Sequence, residues 1–595
     1  MFASPKKPSR IGQWNGRRRS SRSEDPMLPH LWQRPVLLRL GAVLATALTV
    51  TLTAYHWGPG HAYRVGQKLQ HELRARAYFE VPNPVLTERR RDEAAERLPA
   101  ARRGDPLARE QARQAVPVVV DVYPPGTLLV PRGQAITEPQ QALLQREAKA
   151  LLRAQSPGRR FRRGAALFLV FSLLSSVVIL YVNRFQQGLA ASMPKVLGVC
   201  ALVVMTLVAG LLLSHATWHA VLIPLTVTAL ILTIAYNPQF ALLMSISLTL
   251  AMIIALGGKF SDLLVAMGGQ ATAILVLKNV RTRTRLVEVG ATAGTAYLAM
   301  TLAVDLYAAQ PLVLMLFDAG KAFLWGTLAG FLVSGLLPLV ERCFGVITDV
   351  SLLELGDGSH PLLQELVRRA PGTYTHSMTV ATLAEPAAEA IGANPLLARV
   401  GSYFHDIGKM LKPHYFIENQ TGENRHDALE PALSTLIIIG HVKDGLALAE
   451  QYRLPRPIIE FIQQHHGTTL VEYFYREALR QQESAGNLPA RSDGEPHPLE
   501  PNFRYPGPKP QNRENGIVML ADAVESSSRA LAVPTPGSLR KLVHDMLMKR
   551  LLDGQFEESG LTLTELHAVE EALCKGLIAL YHSRIKYPEP ERKAS

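Results

Sequence analysis

Cysteine is nearly missing from this chain. Cys200, Cys343 and Cys574 are its only three, far apart and without a CxxC spacing, which excludes a disulfide framework and a thiolate zinc site. Any bound metal must therefore be held by histidines and carboxylates. Charge is also sparse, at 19% of residues against 48% apolar. One core cannot absorb that much apolar material in 595 residues, because single cores stop growing near about 250–300 residues. The apolar residues must lie in blocks that serve several modules. A net charge of +13 would suit a nucleic-acid binder, yet Lys6, Lys7, Arg10, Arg17, Arg18, Arg19, Arg22 and Arg34 all precede the first apolar run. That is the pattern of a tail held on the inner side of a membrane, and it argues against a nucleic-acid polymer as partner.

About 20 apolar residues cross a bilayer as a helix, and Val36 to Tyr55 is the first such run. It is too long and too far from the N-terminus for a signal peptide, and no A-x-A site follows, so it reads as an uncleaved anchor. Seven closely spaced runs come later, at 164–182, 196–213, 219–236, 240–256, 260–277, 289–309 and 322–340. Eight spans place both termini on one side. The connection Lys278 to Glu288 carries Lys278, Arg281, Arg283 and Arg285, whereas Ser214 to Ala220 carries no Lys or Arg and the other two short loops on that side carry one each, Lys259 and Lys321. Both termini are therefore expected in the cytoplasm. Arg159, Arg160, Arg162 and Arg163 abut the second span on the opposite face, against the rule, which long translocated segments obey poorly.

These features give an all-α chain: a polytopic helical membrane bundle followed by a cytoplasmic all-helical domain. The expected division is a basic cytoplasmic tail (1–35), a transmembrane anchor (36–56), a short extracytoplasmic segment (57–163), a seven-transmembrane region (164–344) and a cytoplasmic domain (345–595). In the outer segment, Gly126 to Val130 reads as a strand, Pro131 to Gln134 as a turn, and Thr137 with Gln140 as a helix cap. In the last domain Asn394-Pro395 and the Thr562/Glu565 pair read as helix starts, and Ser484 to Pro510 as a long loop.

The strongest chemical signal is Tyr403-Phe404-His405-Asp406-Ile407-Gly408-Lys409. An adjacent imidazole and carboxylate at a helix end, released by Gly408, can meet one metal, and the carboxylate can bridge two. His376, His441, His465, His466 and Asp522 each lie in or beside an apolar stretch, where an unpaired polar group would be costly. Adjacent histidines on one helix diverge by about 100°, so His465 and His466 share a site only at a helix end, which Gly467 supplies. Five histidines and two aspartates suffice for two divalent ions, which can activate a bridging water as hydroxide for phosphoester hydrolysis. Lys409 would place a positive charge near a phosphate oxygen.

With these residues in view, the run resembles the HD-domain phosphohydrolases and, in detail, the seven-transmembrane HD family of cyclic di-AMP phosphodiesterases. The matching stretches are Ala370 to Met378, His405 to Lys409, Tyr415 to Gln420, His441 to Gly445, Gln464 to Thr468, Phe503 to Pro510 and Met519 to Asp522. The resemblance implies one metal held by His376, His405, Asp406 and Asp522, and another by Asp406, His441, His465 and His466. It implies iron or manganese, and opening of cyclic di-AMP to pApA; ligand chemistry alone also admits zinc. Asp406 and Lys409 would be catalytic, with Arg504, Tyr505 and Lys509 as further substrate contacts. The expected setting is a bacterial inner membrane.

Departures from the family pattern are the Thr375 that stands where a histidine is usual, Pro386 inside the helix of His376, which should kink or shorten it, and a much shorter outer segment. A cyclic di-GMP phosphodiesterase of the HD-GYP type is a rival, but Gly467-Thr468-Thr469-Leu470 follows the paired histidines, with no Gly-Tyr-Pro. An inactive membrane receptor would most cheaply show a substituted ligand, and none of the seven is substituted. Transport would need more polar intramembrane residues than Asp262 and Asp305 near span ends. Gly257-Gly258, Gly268-Gly269 and Gly290 to Thr295 point to close helix contacts, a face for a homodimer. His414 and His426 are expected to be solvated loop residues, and His360, His497, His544, His567 and His582 structural or exposed.

Overall fold

A computed structural model describes residues 34–57, 63–154, 156–214, 220–278, 280–420, 422, 424–484 and 497–582. The basic tail through Gln33, nearly all of the Ser214–Ala220 connection, half of the Ser484–Pro510 loop and the side chain of His582 lie outside the described residues.

Helix α1 spans Arg34–Trp57. The following segment builds two small antiparallel ladders: β1 (Leu73–Arg74) pairs with β4 (Leu128–Val130), and β2 (Phe79–Pro82) with β3 (Val120–Tyr123). Helices α2 (Pro84–Glu96) and α3 (Pro106–Gln114) join β2 to β3. Leu69, Phe79, Leu129, Val130, Ile136 and Leu144 form the core of this unit. Thr137 caps α4 (Glu138–Arg153) in a capping box with Gln140, as its sequence foretells.

The bundle follows: α5 (Pro157–Phe185), a short α6 (Gln187–Ala191), α7 (Met193–Leu213), α8 (Leu222–Ala235), α9 (Pro238–Leu256), α10 (Phe260–Val276), α11 (Arg283–Tyr307) and α12 (Leu312–Phe344). Each of the seven apolar runs lies on its own helix. Their roles differ, however. Ten of the fourteen residues of α8 are buried, including Leu230 and Leu232 at 0% exposure, so α8 is the bundle's central helix. At 1.5 Å per residue it is about 21 Å long, shorter than the hydrocarbon layer. Polar groups inside the bundle bond across helices, Tyr297 to Thr226 at 2.6 Å and Gln270 to Thr249 at 2.9 Å. Asp262 accepts from the Lys259 amide at 2.7 Å and so caps α10.

Helices α11 and α12 touch backbone to backbone. A Cβ on Gly290 would come within 2.7 Å of Gly330 Cα, and one on Gly294 within 2.5 Å of the Phe323 carbonyl. The Gly290–Thr295 stretch is thus used inside one chain, and Gly268 and Gly269 are filled by Met300 and Tyr297. These glycines are covered by their own bundle. Gly257, at φ +66°, is the left-handed cap of α9.

Two further units meet α12 at its opposite ends. Near its start, Arg64 pairs with Asp318 at 2.7 Å, and Gln310 bonds the backbone of Lys68. At its far end Glu341 accepts from Thr348 N and Oγ1 and from Ser351 Oγ, at 2.6–2.7 Å, and so fixes α13 (Asp349–Leu355) to the bundle. The basic connection before α11 meets the same helix, through Arg281–Asp349 at 3.6 Å and Arg283–Glu354 at 3.3 Å.

The C-terminal domain is helical: α14 (Pro361–Arg369), α15 (Pro371–Ala390), α16 (Pro395–Phe404), α17 (Pro431–Gln451), α18 (Arg456–Gln464), α19 (Glu472–Ser484), α20 (Arg513–Ser528), α21 (Pro536–Leu552) and α22 (Leu563–His582). Asn394 and Thr562 make the expected cap contacts. Pro386 does not cut α15 short: the helix runs on to Ala390, with Ala384, Ala387 and Ala388 buried around the missing hydrogen bond. Seven described helices are long and apolar enough to cross a membrane. Six belong to α1 and the bundle and make this a multi-pass membrane protein; the seventh, α17, carries His441 and packs in the C-terminal domain.

Two glycines of α12 should respond oppositely. Gly330→Val forces a Cβ against the Leu286 carbonyl, and we expect a loss of about 3 kcal/mol, the upper range for overpacking. Gly335→Val meets nothing within 4 Å and should be neutral or stabilising, by up to about 1 kcal/mol of helix propensity. Thermal melts of the detergent-solubilised full chain compare them.

Candidate metal centre

Five helices deliver the seven candidate ligands. His376 lies in α15, His405 is the C-cap of α16 with Asp406 just beyond it, His441 lies in α17, His465 is the C-cap of α18 with His466 following, and Asp522 lies in α20. The adjacent-histidine problem is solved as the sequence demands, because α18 ends at Gln464 and Gly467 turns the chain at φ +53°. Gly408 has a different reason from the one its position suggests. It is not left-handed; a Cβ there would collide with the His441 carbonyl and reach the Gly445 amide at 2.5 Å. Glycine lets the HD turn press against α17.

Asp406 is the shared element. Its Oδ2 faces His376 Nε2 at 3.4 Å and His405 Nε2 at 3.2 Å, while its Oδ1 faces His441 Nε2 at 3.3 Å and His465 Nε2 at 3.5 Å. Asp522 lies 3.0 Å from His376 Nε2 and 3.8 Å from His466 Nδ1. Two sets of potential ligand atoms result, each lying within 4.8 Å of one another: His376, His405, Asp406 and Asp522, and Asp406, His441, His465 and His466.

Four of the five histidines have their Nδ1 tied down. His405 Nδ1 bonds the Ser402 carbonyl at 2.7 Å, His441 Nδ1 that of Ile438 at 2.6 Å, and His465 Nδ1 those of Phe461 and Ile462 at 3.0 Å. A ring that donates from Nδ1 keeps its Nε2 lone pair for a metal. His376 Nδ1 contacts Glu525 Oε2 at 2.6 Å, and Arg529 holds that carboxylate in turn.

The inner atoms fit a cation. His376 Nε2, His405 Nε2 and both Asp406 oxygens are buried and make no well-aligned hydrogen bond, a state folded proteins rarely leave uncompensated. Burial works to raise the Asp406 carboxyl, but Lys409 and the flanking histidines hold it well below the usual carboxylate range. Burial also works to neutralise His376, yet Asp406, Asp522 and Glu525 push it well above the ordinary imidazole value. Burial pulls His441 down to about 3, so it stands neutral, as a ligand must. Nitrogen and carboxylate donors of this kind suit manganese, iron or zinc.

The residues considered for substrate divide sharply. Lys409 Nζ sits 2.7 Å from Asp406 and 3.1 Å from Glu418. Tyr505 is buried, its ring 4.2 Å from that of His466. Arg504 is pinned by Glu500 at 2.8 Å, Asp553 at 3.0 Å and the Thr468 carbonyl, and Lys509 by Glu557 at 2.9 Å. His426, expected to be solvated, is buried and bonds the Tyr415 carbonyl at 2.9 Å; His414 is exposed. His360 caps α14, His544 pairs with Glu570, and Thr375 bonds only the Pro371 carbonyl.

Sequence reasoning missed Glu525 and Glu418. Glu525 stands three residues after Asp522 on one helix, a spacing that puts both carboxylates on one face. That signal was available. Glu418 approaches Lys409 through a loop contact that no periodicity reveals.

Two known families match this chain: "7TM receptor with intracellular HD hydrolase" over residues 161–348, and "HD domain" over 373–527. The cyclic-di-AMP phosphodiesterase PgpH of Bacillus subtilis (strain 168) is 33% identical over 508 residues, 82% of this chain and 68% of the relative. The protein of that name from Listeria monocytogenes serotype 1/2a (strain 10403S) is 33% identical over 524 residues, 86% and 68% of the two chains. The crystal structure of the L. monocytogenes PgpH HD domain in complex with cyclic-di-AMP is 43% identical, covers 38% of this chain and 100% of that one, and has a TM-score of 0.34.

Glu525→Gln keeps the size of the His376 partner but removes its charge, and should weaken metal binding by about 10- to 100-fold. Manganese titration of the full chain reads this directly, with exposed Thr375→Ala expected to match the parent.

Proposed function

The chain belongs to the PgpH family of membrane-bound HD phosphodiesterases, and on that premise we propose that it hydrolyses cyclic di-AMP to the linear dinucleotide pApA at the centre built around Asp406. It is a metal-dependent cyclic dinucleotide phosphodiesterase. The observation that carries this reading is the division of the Asp406 oxygens between two ligand sets.

His376, His405, Asp406 and Asp522 would hold one divalent ion, and Asp406, His441, His465 and His466 the other, with manganese or iron as the expected metals. Such a pair supplies a nucleophile activated from water and positive charge for the phosphoryl oxygens. The chain's own part is orientation. The carbonyls of Ser402, Ile438, Phe461 and Ile462, with Glu525, aim the imidazoles inward. Lys409 stays charged, since Asp406 and Glu418 outweigh its burial, and presents its ammonium at the edge of the site. Burial of the ligands keeps bulk water from screening these charges.

We place the catalytic domain, residues 345–595, in the cytoplasm and the chain in a bacterial inner membrane. The support is that α13, at the start of this domain, pairs with Arg281 and Arg283 of the most basic short connection, which the positive-inside rule assigns to the cytoplasm.

The manganese-loaded full chain should convert cyclic di-AMP to pApA, followed by chromatography, and Asp406→Ala should abolish conversion. Cleavage of cyclic di-GMP but not cyclic di-AMP under the same conditions would contradict the reading.

A further inference from the structure

Arg550, near the end of α21, carries a charge that no neighbour takes up. The residue is half-buried, and Asp522, Asp553, Glu472 and Tyr505 lie within electrostatic reach of its charge. Each of those acids already has a closer cation: His376 lies 3.0 Å from Asp522, Arg504 3.0 Å from Asp553 and Lys549 2.5 Å from Glu472. Among the described residues no carboxylate lies within ion-pair distance of Arg550, and its Nε is buried without a hydrogen-bond partner. Arg504 is raised by its Asp553 partner, whereas burial pulls Arg550 below the usual arginine range.

A helix C-terminus favours a cation, and that explains Lys549 beside it, but it gives no reason to bury the Arg550 Nε unpaired within electrostatic reach of a candidate metal ligand. Leaving such a group unpaired costs stability, so its retention points to an anion that arrives later. Lys409, Arg504 and Lys509 are already neutralised by Asp406, Glu418, Glu500, Asp553 and Glu557. Of these four cations Arg550 alone brings uncompensated charge.

We propose that Arg550 binds a phosphate oxygen of the nucleotide seated at the metal centre, an inference that rests on the phosphodiesterase reading. The planar guanidinium matches a phosphate in a way a lysine does not. Tyr505, whose ring lies 4.2 Å from that of His466, is within electrostatic reach of Arg550.

The test uses the manganese-loaded full chain with Arg550→Gln and Arg550→Lys. Arg550→Gln should weaken inorganic phosphate binding and raise KM for cyclic di-AMP by about 10- to 100-fold, with a smaller loss in kcat. Arg550→Lys should recover part of this. Manganese content should be unchanged and the melting temperature unchanged or higher, since no ion pair is lost. Unchanged phosphate affinity and KM would overturn the proposal, as would a loss of affinity that comes with lost metal or lowered melting temperature. If the parent chain leaves cyclic di-AMP intact, the phosphodiesterase reading fails, and phosphate binding alone then decides the role of Arg550.

Discussion

A carboxylate with both oxygens buried sets the terms for the C-terminal domain. Asp406 is 1% exposed, and an ionised group in such a place is tolerable only if surrounding charges replace the lost water. Four imidazoles and Lys409 provide that replacement, and each comes from a different stretch of chain or a different face. Four helices must therefore end or cross within a few ångströms of one atom pair. The domain's close packing follows from that demand.

Small residues make the approach feasible. Gly408 lets the HD turn lie on the His441 carbonyl, and Gly401 lets α16 lie against the Phe461 ring, so that two ligand-bearing helices meet. The membrane half uses the same device: Gly290, Gly294, Gly326 and Gly330 bring α11 and α12 to backbone contact. Since α12 ends in the Glu341 clamp on Thr348 and Ser351, the close-packed pair and the catalytic domain are joined through a hydrogen-bonded joint.

Much of this was legible in the residues. The candidate ligands stood out as polar groups in apolar runs, the paired histidines required a helix end, and Thr137, Asn394 and Thr562 marked helix starts by local chemistry. What sequence concealed depends on distance in space. Arg504 and Lys509 looked like phosphate contacts by residue type, but Asp553 and Glu557 reach them only after the chain folds back. Nothing in the residues around Arg550 reveals that its Nε is buried. Helix α17 is apolar enough for a bilayer yet packs in the C-terminal domain, where the sequence placed it, and α8 is both short and buried inside the bundle.

The central claim is that Asp406 joins two ions into one centre. Electron paramagnetic resonance of the full chain, titrated with manganese, tests it most directly. The account predicts two ions per chain at saturation and an exchange-coupled signal that collapses to isolated-ion spectra in Asp406→Asn. A single ion per chain, or two ions with no coupling in the parent protein, would contradict it.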